Sequence, residues 1–417
     1  MNGPSGARHV LVVFHATFPV AHGGINVMIA ELAHAWSAMG IRVSLFAPGP
    51  WGQKTLSVER FGPITLYKMR LRPLWDRRRP LRGLLGLVAE LPRTLWTLWR
   101  LIRREGVDVI HFHTARDYQF FFHLLRWFGG PPGVTTFHGT DALVLAEGKR
   151  RDTPLLRWIV RRSAAVTAVA PHIGRLIERA CPDLAPVRVV LNGVNVGIGG
   201  ALDQPPDDMR LPERFWVVVG WVEPPKGQDV AIRAWAEVSR LWPDLHLVIV
   251  GGQTFFPNGE PHFPGFFEAM LNLVAENGTA ERVHFLGQLP REQVLAVMAR
   301  ARGLLFPSLR EGLPYALLEA GLFGLPVVCH RIPPFSDLIG EGVNGLLIPV
   351  GDDRSLAEAV SRLESDPEAA RRMGEAWREQ VHERHSVRAM ARGYVSLFAT
   401  LAGDETGWGV RGTSDGS

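Results

Sequence analysis

Residues 307–328 read PSLREGLPYALLEAGLFGLPVV. An apolar run with Gly and Pro at both ends describes a helix entered from a loop and left into a buried strand, and RGLLFPS just before it reads as another strand. Strand, loop, helix, strand is the repeating unit of a parallel sheet covered by helices. Glu311 and Glu319 sit inside this apolar stretch, where ionised groups cost stability unless something holds them. Their presence points to a ligand at the mouth of the helix.

The same alternation runs outward in both directions. HVLVVFHA is a strand, followed by GGINVMIAELAHAWSAMG, which repeats apolar residues at helical spacing and stops at Gly40. RVSLFAP and VDVIHFH follow as strands with a helical stretch between them, then GVTTFHG, AVTAVA and VRVVLNG. A second series starts at RFWVVVGW and continues through LHLVIVGG, RVHFLGQ, RGLLFPS and LPVVCH. Two such series predict two α/β domains, each a doubly wound parallel sheet, facing each other across a cleft. The boundary falls where Gly, Pro and Asp replace periodic pattern, in NVGIGGALDQPPDDMRLPERF, residues 195–215.

Composition sets outer limits. A chain of 417 residues, 46% hydrophobic, supports two domains with separate cores. No stretch approaches the length of a transmembrane helix and the opening lacks a signal-peptide core, so a cytoplasmic protein is expected. Cys181 and Cys329 form no metal-ligand spacing and read as core residues. Charge is unevenly shared: residues 1–195 hold 26 Lys and Arg against 12 Asp and Glu, while the remainder holds 20 against 29. An anionic partner for the first half follows from that split.

In open parallel sheets ligands lie beyond the carboxyl ends of the strands, where helix N-termini present unpaired N–H groups. Gly23 and Gly24 follow the first strand and let backbone approach a phosphate, although a tight turn accounts for the pair equally well. This glycine pair lacks the G-x-G-x-x-G fingerprint, which argues against a nicotinamide or flavin dehydrogenase. GWVEPPKG, residues 220–227, again leads from strand to helix, and Lys226 there is placed to clamp a diphosphate. His138 ends a strand in FHGTD, with Asp141 as a cap for the next helix. A polyhydroxylated ligand at the helix mouth would donate hydrogen bonds to Glu311 and Glu319.

Together these motifs resemble family 4 of the retaining, GT-B fold glycosyltransferases. EGLPYALLEA is similar to the E-x7-E signature of that family, preceded by PS and followed by a G-x-P-V-V strand. The glycine loop, DVIHFH, TFHGTD, NGVN, the Lys-Gly at 226–227, FLGQL and GVNGLLIPVGD occur in the family's order over residues 8–402. The resemblance implies sugar transfer from a nucleoside diphosphate donor, with retention and without a metal or other cofactor, and no D-x-D is present to suggest one. It implies that Glu319 binds the ribose, Glu311 the donor sugar, and Lys226 with Gly23 and Gly24 the diphosphate. Backbone at Gly312 and Leu313 would assist, and His138 would contact the sugar near the reacting carbon. On this reading residues 1–195 face acceptor and membrane, 196–214 link, 215–385 bind the nucleotide sugar, helix 386–402 returns to the first domain, and 403–417 form a disordered tail.

Two positions depart from the pattern. Trp221 stands where the family carries a phosphate-pairing Arg, and an indole cannot act as a guanidinium clamp. CHRIPPFSD replaces the usual Gly-Gly-x-Pro-Glu segment, leaving Asp337 as the nearest acid. A GT-B protein that binds nucleotide or membrane without catalysis is the rival expectation. A hydrolase, phosphorylase or epimerase stands further off, since a hydrolase leaves Lys226 and the nucleotide-type halves without a role.

Residues 70–106 contain ten arginines, three acids and Trp75, Trp96 and Trp99, and KRRDTPLLRWIVRR, residues 149–162, repeats the theme. Arginine-flanked amphipathic segments with Trp suit a membrane interface, although a solvated helix with one core face also fits. Nucleic acid is not expected, because no binding motif is present. Peripheral attachment to the cytosolic membrane face, with a lipid-linked or glycan acceptor, is the resulting expectation.

Overall fold

The computed structural model describes residues 8–14, 24–49, 55–74, 80–149, 153–197, 210–255, 259–403 and 408. The chain divides into two compact units, one running to Asn192 and resuming at Val387, the other spanning Gly193–Ser386. Each is a doubly wound α/β sheet, as the alternating pattern requires.

The first unit holds β1 (His9–Val13), β2 (Arg42–Pro48), β3 (Ser57–Phe61), β4 (Ile64–Met69), β5 (Val109–His113), β6 (Gly133–Phe137), β7 (Ala165–Ala168) and β8 (Arg188–Val189). They form one sheet in the order β3-β4-β2-β1-β5-β6-β7-β8. All neighbours are parallel except β3 and β4, which make an antiparallel hairpin. This hairpin corrects the purely helical reading between RVSLFAP and VDVIHFH. Gly62, at φ 56°, makes the turn that Phe61, Gly62 and Pro63 announce. The central strands are buried on both faces, so they read as continuous apolar runs. Helix Val387–Ala402 belongs to this unit, where Trp36 donates its indole N–H to the Ala391 carbonyl and packs edge-on against Tyr394.

The second unit holds β9 (Phe215–Val219), β10 (His246–Val250), β11 (Val283–Gly287), β12 (Leu304–Phe306), β13 (Val327–His330) and β14 (Leu346–Ile348). Their order is β11-β10-β9-β12-β13-β14, all parallel. After β9 the chain moves to one side, and from β12 it moves to the other. That reversal lies between β9 and β12 and opens a crevice at their carboxyl ends. One core packs Trp216, Trp235, Leu247, Ile249, Leu305 and Val360 together.

Of the tail, Gly403 and Trp408 are described, and Trp408 is 2% exposed, packed on Phe398 with Arg8 over its ring. Trp408, within the stretch 403–417 expected to form a disordered tail, is therefore packed. The boundary stretch 198–209 lies outside the described residues.

Candidate functional site

In the second unit the loops after β9 and β12 meet at the reversal point. After Val219 the chain makes a turn at Pro224–Lys226, then Gly227 at φ 70° leads into helix Gln228–Leu241. A Cβ at Gly227 would lie 2.1 Å from the Pro307 carbonyl oxygen, so only glycine permits the two loops to touch. Leu309 N–H bonds to the Pro225 carbonyl at 2.8 Å and fixes the second loop against the first.

This docking sets the two charges side by side. Lys226 Nζ donates to Glu311 Oε1 at 2.7 Å, and both side chains are largely buried. Lys226 has three ammonium protons, so two further hydrogen bonds remain open to a ligand. Glu223, unremarked in the sequence reading, is a third charge: burial pushes its carboxyl up, Lys226 opposes that and Glu311 adds to it. Trp221 is half-buried, and its carbonyl accepts from Gln228 Nε2 at 2.8 Å.

Gly312 and Leu313 form the bend before helix Tyr315–Leu322, for which Pro314 is the N-cap rather than the first helical residue. Glu319 is buried in that helix and accepts from Arg291 Nε at 3.1 Å and Nη2 at 3.0 Å. Arg291 opens helix Arg291–Arg300 after β11. Nothing in its sequence neighbourhood marked it as a partner of Glu319. The helix carrying Glu319 is held from behind: Trp377 donates to the Leu317 carbonyl at 2.9 Å, and Gly374 lies so close to Gly324 that a Cβ would fall 1.8 Å from its carbonyl oxygen. Asp337 is exposed at the end of the short helix Pro333–Ser336.

The first unit contributes a separate set at the carboxyl ends of β5 and β6. His138 is buried, and its Nε2 lies 3.0 Å from His113 Nδ1. Burial takes the His138 imidazole down to about 3 and leaves His113 well below the ordinary value. Asp141 Oδ1 accepts from the backbone amides of His138, Gly139 and Ala142, but it does so from inside the first turn of helix Thr140–Glu147, whose N-cap is Gly139 and not Asp141. His111 Nε2 bonds Thr136 Oγ1 at 2.7 Å, beside Thr167 and Tyr394. Gly24 opens the first helix, Gly24–Ala38, and Gly23 lies outside the described residues.

The helix Pro80–Glu105 carries both buried and exposed apolar residues. Leu98, Leu101 and Ile102 face the core, while Leu84, Leu85, Val88 and Trp96 are 55%, 71%, 61% and 61% exposed. Trp96 stacks on Trp99, and Arg103 lies over Trp99. In the second basic stretch Arg162 lies over Trp158. Trp75 and residues 150–152 lie outside the described residues, and no described helix is long and apolar enough to cross a membrane.

Residues 22–197 match the family model described as Glycosyltransferase Family 4, and residues 206–380 match that described as Glycosyl transferases group 1. The D-inositol 3-phosphate glycosyltransferase of Corynebacterium efficiens is 27% identical over 95% of this chain and 94% of its own. The 2-deoxystreptamine glucosyltransferase of Streptomyces kanamyceticus is 27% identical over 85% of this chain and 93% of its own. Among solved structures, the sucrose-phosphate synthase of Thermosynechococcus elongatus superposes with a TM-score of 0.72 at 22% identity, over 94% of this chain and 99% of that one. Anabaena HepE in complex with UDP and glucose gives 0.71 at 18% identity, over 94% and 99%.

Proposed function

The chain belongs to the group 1 glycosyl transferases, and from that premise we propose that it moves a hexose from a nucleoside diphosphate donor to an acceptor hydroxyl, with retention at the anomeric carbon. The observation that carries the reading is the Lys226–Glu311 pair at the point where the strand order of the second unit reverses. A phosphate oxygen takes the open protons of Lys226, and a sugar hydroxyl donates to Glu311. Glu319 accepts from the ribose, sharing its carboxylate with Arg291. Backbone amides at Gly312 and Leu313 add dipoles that favour the diphosphate. Fixed positive charge lowers the barrier by stabilising the leaving diphosphate as the glycosidic bond breaks. The acceptor hydroxyl attacks from the same face, and the leaving phosphate oxygen takes its proton. The cations in this scheme are side chains, with no metal ion and no cofactor beyond the donor itself. His138 supports the scheme as a polar contact to the donor sugar.

The acceptor we propose is a lipid-linked glycan or glycolipid used in polysaccharide synthesis, with the protein held peripherally on an anionic cytosolic membrane face. The exposed stripe Leu84, Leu85, Val88 and Trp96 supports this, because exposed apolar side chains on an arginine-rich helix suit an anionic membrane interface. The neighbouring Arg93, Arg100 and Arg103 supply the matching charge.

The test is thermal unfolding with UDP, GDP and ADP and their sugar conjugates, followed by nucleotide release from the stabilising donor. Binding at about 100 times Kd adds about 2.7 kcal/mol. A shift with one nucleotide that vanishes in Glu319→Ala supports the reading. Trp221 favours a second reading, binding without turnover. A nucleotide-induced shift without release from any donor would select it, and Trp221→Arg should then tighten diphosphate binding about tenfold. No shift with any nucleotide would remove the transferase reading and leave the form of the second reading that binds membrane alone.

A further inference from the structure

We propose that His113 is a positioning residue for His138, holding that ring neutral with its proton on Nδ1, so that His138 meets the donor sugar as a hydrogen-bond donor and not as a base. The inference rests on the role proposed above for His138. It starts from the register of adjacent parallel strands: β5 and β6 pair His113 with Thr136, which brings His138, just beyond the end of β6, against the His113 ring. His113 Nδ1 and His138 Nε2 are 3.0 Å apart. One proton lies between them, and either ring can carry it.

Burial decides which. His113 Nε2 is sealed from solvent and has no hydrogen-bond partner among the described residues. If His138 supplied the shared proton, His113 would carry its own on Nε2 and strand a buried N–H. If His113 supplies it, Nε2 keeps only a lone pair, and buried unpaired donors are the rarer and costlier case. His113 therefore donates from Nδ1, His138 accepts at Nε2, and the proton of His138 sits on Nδ1. That nitrogen makes no hydrogen bond with the described residues and is left to a ligand.

A second proton on the pair finds no counter-charge. His111 faces His113 at 4.2 Å between ring centroids and is itself bonded to Thr136. Tyr394, from helix Val387–Ala402, packs on His111. Asp141 is nearby, but its Oδ1 is taken up by backbone amides, and burial raises its carboxyl. Burial keeps both imidazoles neutral at ordinary pH.

Histidine-selective nitrogen labelling of the full chain, read by long-range proton–nitrogen correlation, reports the tautomer directly, with His138 assigned by the loss of its signal in His138→Asn. The expected result is the Nδ1–H form at about ten to one or better, unchanged between about pH 8 and about pH 5. In His113→Leu the preference should collapse toward a mixture of the two tautomers. His113→Asn, which keeps an amide N–H near the same point, should restore it. An Nε2–H form in the unsubstituted protein, or an Nδ1–H form untouched by His113→Leu, overturns the assignment. Should His113→Leu fail to fold, the unsubstituted spectrum still decides. Nucleotide release from the stabilising donor separates the two levels: His138→Asn with full turnover sinks the role of His138, whereas a large loss there with His113→Leu at full kcat sinks only the positioning.

Discussion

Lys226 and Glu311 are hydrogen-bonded at 2.7 Å across 85 residues of sequence. They meet because β9 and β12 are neighbours at the centre of the second sheet, and because Gly227 lets the Lys226 loop touch Pro307. Each neutralises the other, and on the proposed reading a phosphate and a sugar hydroxyl compete for them. Such preorganisation needs no rearrangement at the moment of reaction.

Replacing the lysine isolates its electrostatic role. Lys226→Met should cost about 100-fold to 1,000-fold in kcat on the active donor, while folding stability falls by about 3 kcal/mol, because Glu311 is left largely buried without its partner. Steady-state kinetics beside thermal melts measure both. A loss below tenfold with an intact melt would remove Lys226 from phosphate binding.

Gly227→Ala tests the contact between the loops. Its φ of 70° and the 2.1 Å approach to the Pro307 oxygen leave no room for a methyl group. Destabilisation should exceed about 1 kcal/mol, with a further loss of nucleotide binding as Glu311 separates from Lys226. Urea unfolding with and without nucleotide distinguishes the two effects, and a variant as stable as the parent would show that the loops do not depend on this approach.

Acid should weaken the first unit. Burial lowers His111 and His138 from 6.5 to about 3, and His123 to about 4. Each therefore binds a proton in the unfolded chain before it does so in the folded one, and stability rises with pH through this range. Each histidine held neutral costs about 1.4 kcal/mol for every pH unit below its unfolded value. Melting temperature should be level above about pH 7 and fall steeply toward the lower values just given. A melting temperature that does not change on acidification would mean that these rings are solvated.

The exposed stripe predicts a membrane phenotype. Full-length protein should float with vesicles containing anionic lipid at low salt and lose that behaviour in Leu85→Asp with Trp96→Asp, whose positions make no core contact. Roughly 1 kcal/mol per arginine near the surface also makes flotation salt-sensitive. Protein that stays at the bottom of the gradient at low salt would refute the attachment.

Much of this was legible from local pattern. The strand series follows from periodicity, and Glu311 lies in the loop and Glu319 in the helix as the apolar run around them implies, whereas Gly24 is already helical and Gly23 lies outside the described residues. The hairpin of β3 and β4 was missed because an outer strand such as SVERF, with Val58 and Arg60 exposed and Glu59 paired to Lys68, lacks an apolar run. Arg291, Glu223 and His113 were missed for another reason. Each acts through a neighbour brought close by sheet order or loop docking, and spacing along the chain carries no record of that. Trp408 shows the same limit, since its environment is built from Arg8 and Phe398 at distant points of the sequence.

The discontinuity of the first unit bears on how the protein is made. Its core side chain Trp36 and the His111 cluster are covered by helix Val387–Ala402, the last described helix of the chain. On the ribosome, residues up to Asn192 emerge first, yet the face beneath that helix stays open until the whole second unit has been synthesised. At about 5–20 residues per second that interval lasts on the order of 10–40 seconds. During it the unit written first is the one still unfinished, so the second unit is the first able to close its core.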